Sequence, residues 1–123
     1  MAQNPVRWFE IYVQDTARAK QFYEGVFQVT LQRLNAPGLE MWAFPMQRDQ
    51  MGSAGAIVRM EGVPSGGNSV VVYFASADCA TEEAQAEKLG GKIHKRKMSI
   101  GEYGYISLVY DPDGNMIGIH SMQ

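Results

Sequence analysis

Two polar side chains are candidates for chemistry, one near each end of the chain. Glu10 lies between aromatic residues in the segment WFEIY, and His120 follows Gly118 in the closing segment MIGIH. A carboxylate among apolar neighbours can act as a general acid or base, and an imidazole can move a proton or orient a substrate oxygen. The alternatives are structural roles. Glu10 would accept hydrogen bonds from a neighbouring loop, and His120 would lie at the frayed end of the last strand without a chemical role. The pair predicts chemistry only if the fold brings both residues together.

The elements that must position these residues are predicted from hydrophobic patterning and turn residues. Asp15 and Asp78 have the residue type and the position of helix N-caps, and Gly90 and Gly91 end the second helix. The first half is predicted to contain a strand, a helix and three strands at 6–13, 16–27, 29–34, 39–46 and 54–61. The second half is predicted to contain the same series at 70–76, 79–89, 92–99, 105–111 and 115–121.

This order is an internal repeat, because Asp78 follows Asp15 by 63 positions and the first helix falls on the second. We predict an α+β fold with two βαβββ modules in one domain, residues 1–123, whose curved mixed sheets form a cleft. Module one covers 1–61, a Gly-, Pro- and Ser-rich linker covers 62–69, and module two covers 70–123. Each half is too small to bury a good core alone, so the halves pack together or with a second chain.

Alternate residues of each strand lie on opposite faces of its sheet. We predict that one face packs under the helices, with Phe9, Ile11, Val13, Val70, Val72, Phe74, Ile117 and Ile119. The opposite face then contains Trp8, Glu10, Tyr12, Val71, Tyr73, Ala75, Met116, Gly118 and His120. Large apolar and aromatic residues are unusual on the solvent-exposed face of a sheet, so this face is predicted to line a small-molecule cleft.

Further aromatic residues extend this predicted site. Trp42 and Phe44 share one face of their strand, so both are buried or both line the cleft. Tyr103 lies in SIGEYGY, a glycine-bracketed loop that is either a cleft lid or a plain hairpin connection. The predicted ligand-binding residues are Trp8, Tyr12, Trp42, Phe44, Val71, Tyr73, Tyr103, Met116 and Gly118, and the predicted catalytic residues are Glu10 and His120.

Composition argues against several classes of partner. The formal net charge is −2 and the only basic cluster is KIHKRK at 92–97, so we expect no nucleic-acid or membrane partner. No apolar run approaches the roughly 18 residues of a membrane span. Cys79 is the only cysteine, and the first residues have no apolar signal core, so we expect a cytoplasmic protein.

Three segments together make the chain similar to a known family. WFEIYVQDTARAKQFYEGVF, VYFASADCATEEAQAEKLGGKI and YGYISLVYDPDGNMIGIHS resemble the glyoxalase / bleomycin-resistance / extradiol-dioxygenase superfamily, also called vicinal oxygen chelate proteins. The resemblance implies paired βαβββ modules that each curl a sheet around a cleft. It also implies a homodimer.

The resemblance has a second implication, for metal binding. Metal-using members place a divalent ion in the cleft, with ligands from the first and last strands of each half. The matching positions here are Trp8, Val71 and Gly118, with Gly55 or Ala56 as the fourth. None of these side chains can ligate a metal, so no metal and no cofactor are predicted.

Three functions follow from these residues. The first is a metal-independent small-molecule-binding protein whose ligand is unknown. The second is a metal-free lyase or isomerase with Glu10 as general base. The third is a metal-dependent glyoxalase or dioxygenase with relocated ligands, for example Glu10 and His120 with a third donor.

Overall fold

The computed structural model describes residues 4–123 and contains two four-stranded mixed sheets, neither of which closes. The first half comprises β1 (Trp8–Tyr12), α1 (Thr16–Phe27), β2 (Gln32–Leu34), β3 (Glu40–Ala43) and β4 (Ala54–Arg59). The second half comprises β5 (Tyr73–Ala75), α2 (Cys79–Lys88), β6 (Lys92–Ser99), a 3₁₀ turn (Gly101–Tyr103), β7 (Tyr105–Tyr110) and β8 (Met116–Ser121). The strand orders are β1-β4-β3-β2 and β5-β8-β7-β6. The predicted α+β fold with two βαβββ units is confirmed.

Both helices begin at the predicted aspartates. The carboxylate of Asp15 accepts a hydrogen bond from the amide of Arg18, and that of Asp78 accepts one from the amide of Ala80, both at 3.1 Å. Each aspartate satisfies an amide that the first helical turn leaves without a backbone partner. The apolar face of α1 is buried as its spacing predicts, with Ala19, Phe22, Tyr23 and Val26 each at most 1% exposed.

The first strand of the second half is shorter than predicted, because a side chain replaces part of its backbone pairing. The Asn68 side chain accepts from the Met116 amide at 3.0 Å and donates to the Met116 carbonyl at 2.8 Å. The regular strand therefore starts only at Tyr73. Val70, predicted to lie under a helix, is 70% exposed, which corrects that assignment.

An aromatic cluster joins the two halves on the helix side of the sheets. Phe74 of β5 stacks on Phe27 of α1 with ring centroids 4.3 Å apart. The same ring lies 5.4 Å from Phe44 and 6.0 Å from Phe9, both in the first half. The halves thus share one apolar core, as two units too small to bury separate cores must.

The turn at 111–115, DPDGN, also joins the halves. Asp111 is 3% exposed and accepts hydrogen bonds from the Tyr23 hydroxyl at 2.7 Å and from the Asn115 side chain at 3.1 Å. Asn115 also donates to the Tyr12 carbonyl at 2.9 Å, and Asp113 accepts from Arg18 at 2.7 Å. A turn of the second half therefore holds the end of β1 and the start of α1, although its sequence indicates only ordinary turn chemistry.

Within residues 4–123, neither helix has the length and apolar character that a membrane crossing requires.

Candidate functional site

A groove of about 520 Å³ lies on the side of the second sheet that faces away from the helices. We call it the Tyr73 groove. It is lined by Tyr73, Phe74, Ala75, Ile100, Tyr103, Ile106 and His120. Its wall is mostly apolar and aromatic with few polar groups, which is the usual composition of a small-molecule site.

The Tyr73 ring lies directly over Gly118. The two residues are paired neighbours in the parallel β5–β8 ladder. A Cβ atom at position 118 would lie only 2.3 Å from two atoms of the Tyr73 ring. Only a glycine allows this approach, so Gly118 gives the ring its place against the sheet.

The loop before β7 contributes Ile100 and Tyr103 to the groove wall. Gly104 has φ of 103°, and a Cβ there would lie 2.4 Å from the Ser121 carbonyl oxygen, so the loop needs glycine at this position. The Nε2 atom of His120 lies 2.6 Å from the Tyr103 carbonyl oxygen. The imidazole thus connects the loop to β8, as part of the groove wall.

Glu10 lies elsewhere, on the exposed face of the first sheet. Its carboxylate accepts hydrogen bonds from the Trp8 indole at 3.1 Å and from the Tyr12 hydroxyl at 2.8 Å. Glu10 and Tyr12 line a second, smaller cavity of about 290 Å³ together with Met116 and residues of the linker. Glu10 and His120 therefore line different cavities, and the structure does not bring the predicted catalytic pair together.

The hydrogen bond to Glu10 raises the pKa of the Tyr12 phenol above 10.0, and partial burial adds to this effect. We expect a Glu10→Gln variant to lower the Tyr12 pKa towards 10.0, because the neutral amide no longer disfavours the phenolate. NMR titration of the tyrosine rings, assigned with a Tyr12→Phe variant, measures this. A Trp8→Phe variant is the matched control and should leave the Tyr12 pKa raised. An unchanged Tyr12 pKa in Glu10→Gln would contradict the contact.

The two predicted aromatic ligands of the first half lie on the helix side of their sheet. Phe44 is 8% exposed, and its ring centroid lies 5.6 Å from that of Tyr23. Trp42 packs against the same core, with the Lys20 ammonium 5.1 Å from its ring centroid. Of the two alternatives for these residues, the structure favours burial, and their placement corrects the expectation that they line the cleft.

The other predicted ligand-binding residues divide into groups. Tyr73, Tyr103 and Gly118 meet at the Tyr73 groove beside the predicted catalytic residue His120, whereas Tyr12 and Met116 line the smaller cavity. Trp8 is 37% exposed beside Glu10. Val71 precedes β5 and lines neither cavity.

Sequence reasoning missed two groove residues, Ile100 and Ile106. Ile106 pairs with His120 in the antiparallel β7–β8 ladder, which places both side chains on one face. The alternation of apolar residues in β7 indicates two faces, but only the register tells which residue lies beside His120.

Comparisons with known proteins agree with this architecture of paired βαβββ units around an open face. The family model described as Glyoxalase/Bleomycin resistance protein/Dioxygenase superfamily matches residues 6–119. The chain belongs to this superfamily. No curated protein sequence matches the chain.

Several solved structures share the fold. Glyoxalase I from Zea mays superposes with a TM-score of 0.71 at 18% identity, covering 94% of this chain and 45% of that chain. This chain thus spans about half the length of the maize enzyme. TnmS3, an antibiotic binding protein from Streptomyces sp. CB03234, gives a TM-score of 0.72 at 22% identity, covering 98% of both chains. A glyoxalase/bleomycin resistance protein/dioxygenase family enzyme from Burkholderia phytofirmans PsJN gives a TM-score of 0.69 at 16% identity, covering 94% of this chain and 97% of that chain.

The residues at the family's metal positions do not fit a metal ion. Trp8, Val71 and Gly118 offer no ligating side-chain atom. In the second half, Gly118 pairs with Tyr73 of the first strand. The equivalent pair in the first half is Ala56 with Glu10. Ala56 is therefore the fourth metal position, and its side chain has no donor atom either. In addition, the Tyr73 ring fills the space next to Gly118 that a longer side chain would need. No group of three His, Cys, Asp or Glu side chains within residues 4–123 is arranged to hold a metal.

Proposed function

We propose that this protein binds a flat, largely apolar small molecule in the Tyr73 groove and does so without a metal ion. The observation that carries the proposal is the Tyr73 ring over Gly118. The ring occupies the space beside position 118, where metal-using family members have a metal ligand. The site therefore supplies an aromatic surface for contact with a ligand and no side chain for a metal ion at this position.

The remaining groove residues support a binding site for an aromatic ligand. Ile100 and Ile106 add apolar surface, and Tyr103 adds a ring that is 68% exposed. The volume of about 520 Å³ is within the range of sites for drug-sized molecules. A protein with the same fold, TnmS3, is an antibiotic binding protein.

Proton transfer by Glu10 has less support. Both carboxylate oxygens of Glu10 already accept hydrogen bonds, one from Trp8 and one from Tyr12. A general base must have an oxygen within reach of the substrate proton. Each oxygen keeps a second lone pair, but Glu10 lines the smaller cavity and not the Tyr73 groove, so the lyase or isomerase alternative would need its substrate in that cavity.

The proposal includes the homodimer that the family resemblance implies. Trp8, Tyr73 and Tyr103 are 37%, 49% and 68% exposed in the single chain. A second copy could cover part of this aromatic surface. Light scattering on the purified protein measures the mass and decides between monomer and dimer.

Titration calorimetry with 2-naphthol tests the binding proposal. We expect a dissociation constant of about 0.1–1 mM, as for a small fragment in an apolar site. Tyr73→Ala should weaken binding at least about tenfold, because it removes the aromatic wall. Trp8→Phe is the matched control on the other sheet and should leave the affinity unchanged.

The same titration in a chelating buffer tests the metal-free part. We expect the same affinity with and without EDTA. Loss of binding on chelation would overturn metal independence, and a Tyr73→Ala variant that binds as well as the wild type would overturn the location of the site.

A further inference from the structure

The hydrogen bond between His120 and the loop determines which ring nitrogen carries the proton. Nε2 lies 2.6 Å from the Tyr103 carbonyl oxygen. A carbonyl oxygen can only accept, so Nε2 must carry the hydrogen. In the neutral imidazole the other nitrogen, Nδ1, then has a free lone pair and is an acceptor.

Nδ1 is the ring nitrogen that the contact with the loop leaves unused. No hydrogen bond within residues 4–123 uses it, and His120 is part of the groove wall. The neighbouring side chains on the wall are Ala75 of β5, Ile106 of β7 and Ile100 of the loop, which are all apolar. The only other titratable side chains on the wall are the phenols of Tyr73 and Tyr103. The polar side-chain groups of the groove wall are therefore these two hydroxyls and the His120 ring, in a surface that is otherwise apolar.

We infer that the Tyr73 groove selects aromatic ligands that carry one neutral hydrogen-bond donor, such as a phenolic hydroxyl, and that Nδ1 of His120 accepts this hydrogen bond. The inference rests on the proposed function and adds the ligand class and the residue that determines it. A ligand of the same shape without the donor leaves Nδ1 unpaired in the complex and binds more weakly. An anionic oxygen at the same place would face the lone pair and is disfavoured.

The tautomer is tested first, without any ligand. Long-range ¹H–¹⁵N correlation spectra of the full-length protein distinguish a protonated ring nitrogen from an unprotonated one. We expect the neutral ring of His120 to show an unprotonated Nδ1. A His94→Gln variant assigns the signals, because His94 and His120 are the only histidines. A proton on Nδ1 of the neutral ring would overturn the inference.

Binding is tested with two matched probes, 2-naphthol and 2-methoxynaphthalene, which differ in the donor hydrogen. At about pH 8 we expect 2-naphthol to bind about fivefold more tightly, the effect of one hydrogen bond. This preference should disappear in His120→Phe and persist in His94→Gln.

The outcomes separate the inference from the proposal on which it rests. Equal binding of both probes by the wild-type protein, or a preference that survives His120→Phe, overturns the role of His120 and leaves the groove as a binding site. Failure of both probes to bind at millimolar concentration overturns the proposed function and the inference with it.

Discussion

Replacing Gly118 with alanine is expected to displace the Tyr73 ring from the second sheet and to weaken 2-naphthol binding at least about tenfold, or roughly 1.4 kcal/mol. The physical reason is the 2.3 Å between a Cβ at position 118 and the ring atoms Cδ1 and Cε1. The ring base is close as well, since Cγ of Tyr73 would lie 2.9 Å away, so a small shift of the ring tip does not relieve the clash. Titration calorimetry of the variant and the wild-type protein measures the effect.

A double-mutant cycle shows whether Gly118 acts through Tyr73. On a Tyr73→Ala background, Gly118→Ala should have almost no further effect on affinity, because the ring that it displaces is already absent. If the two substitutions weaken binding additively, Gly118 does not act by seating the Tyr73 ring. Circular dichroism of each variant checks that the sheets still form.

Replacing Asp111 with alanine is expected to lower the free energy of unfolding by roughly 3 kcal/mol, since a buried donor without an acceptor costs about 1–3 kcal/mol. The Asp111 carboxylate accepts from the Tyr23 hydroxyl, the Asn115 side chain, and the backbone amides of Asp113 and Asn115. All these donors lose their acceptor together. Urea denaturation measures the loss.

The matched control for this prediction is Tyr23→Phe, which removes one donor and leaves the carboxylate with its other partners. We expect it to cost roughly 1 kcal/mol. Similar losses for Asp111→Ala and Tyr23→Phe would mean that the turn contributes little beyond the tyrosine contact.

At acidic pH, Asp111 is expected to have a second measurable effect on the free energy of unfolding. Burial raises the pKa of this carboxyl above its ordinary value of 3.8, against the lowering effect of the hydrogen bonds from Tyr23 and Asn115. The folded state therefore keeps the proton to higher pH than the unfolded chain does. The stability that this group contributes is present below pH 3.8 and is lost as the pH rises through the raised folded pKa.

An Asp111→Asn variant lacks this titration. The unfolding free energy of the wild type minus that of the variant should therefore decrease as the pH rises from about 3.5 to neutrality. Urea denaturation of both proteins across this range measures the difference. A difference that is constant or that grows with pH would contradict the raised pKa.

Local signals explain why so much of the fold was predictable. Asp15 and Asp78 cap the two helices, and the spacing of Phe22, Tyr23 and Val26 identifies the buried face of α1. Capping and helical periodicity depend on residues a few positions apart, so they can be recognised in one sequence. The repeat of these signals, with the turns between them, leads to the two βαβββ units.

Strand lengths and side-chain surroundings were less predictable because they depend on distant residues. The Asn68 side chain takes the place of strand pairing at Met116, which delays β5 to Tyr73. Phe44 lies against Phe74, a residue of the other half, and so became part of the core instead of the cleft. Neither contact has a signal within a short window of sequence.

By itself, the sequence determined the α+β repeat, the helix caps, the absence of ligating side chains at Trp8, Val71 and Gly118, and the family that these segments resemble. All of these depend on residue type and local spacing. Only the tertiary structure decided that Tyr73 lies over Gly118 and that His120 is hydrogen-bonded to the Tyr103 carbonyl. It also decided that Glu10 and His120 line different cavities. Those relations depend on the register between strands and on how the two halves pack, and a shift of one residue in a strand would turn each of these side chains to the opposite face.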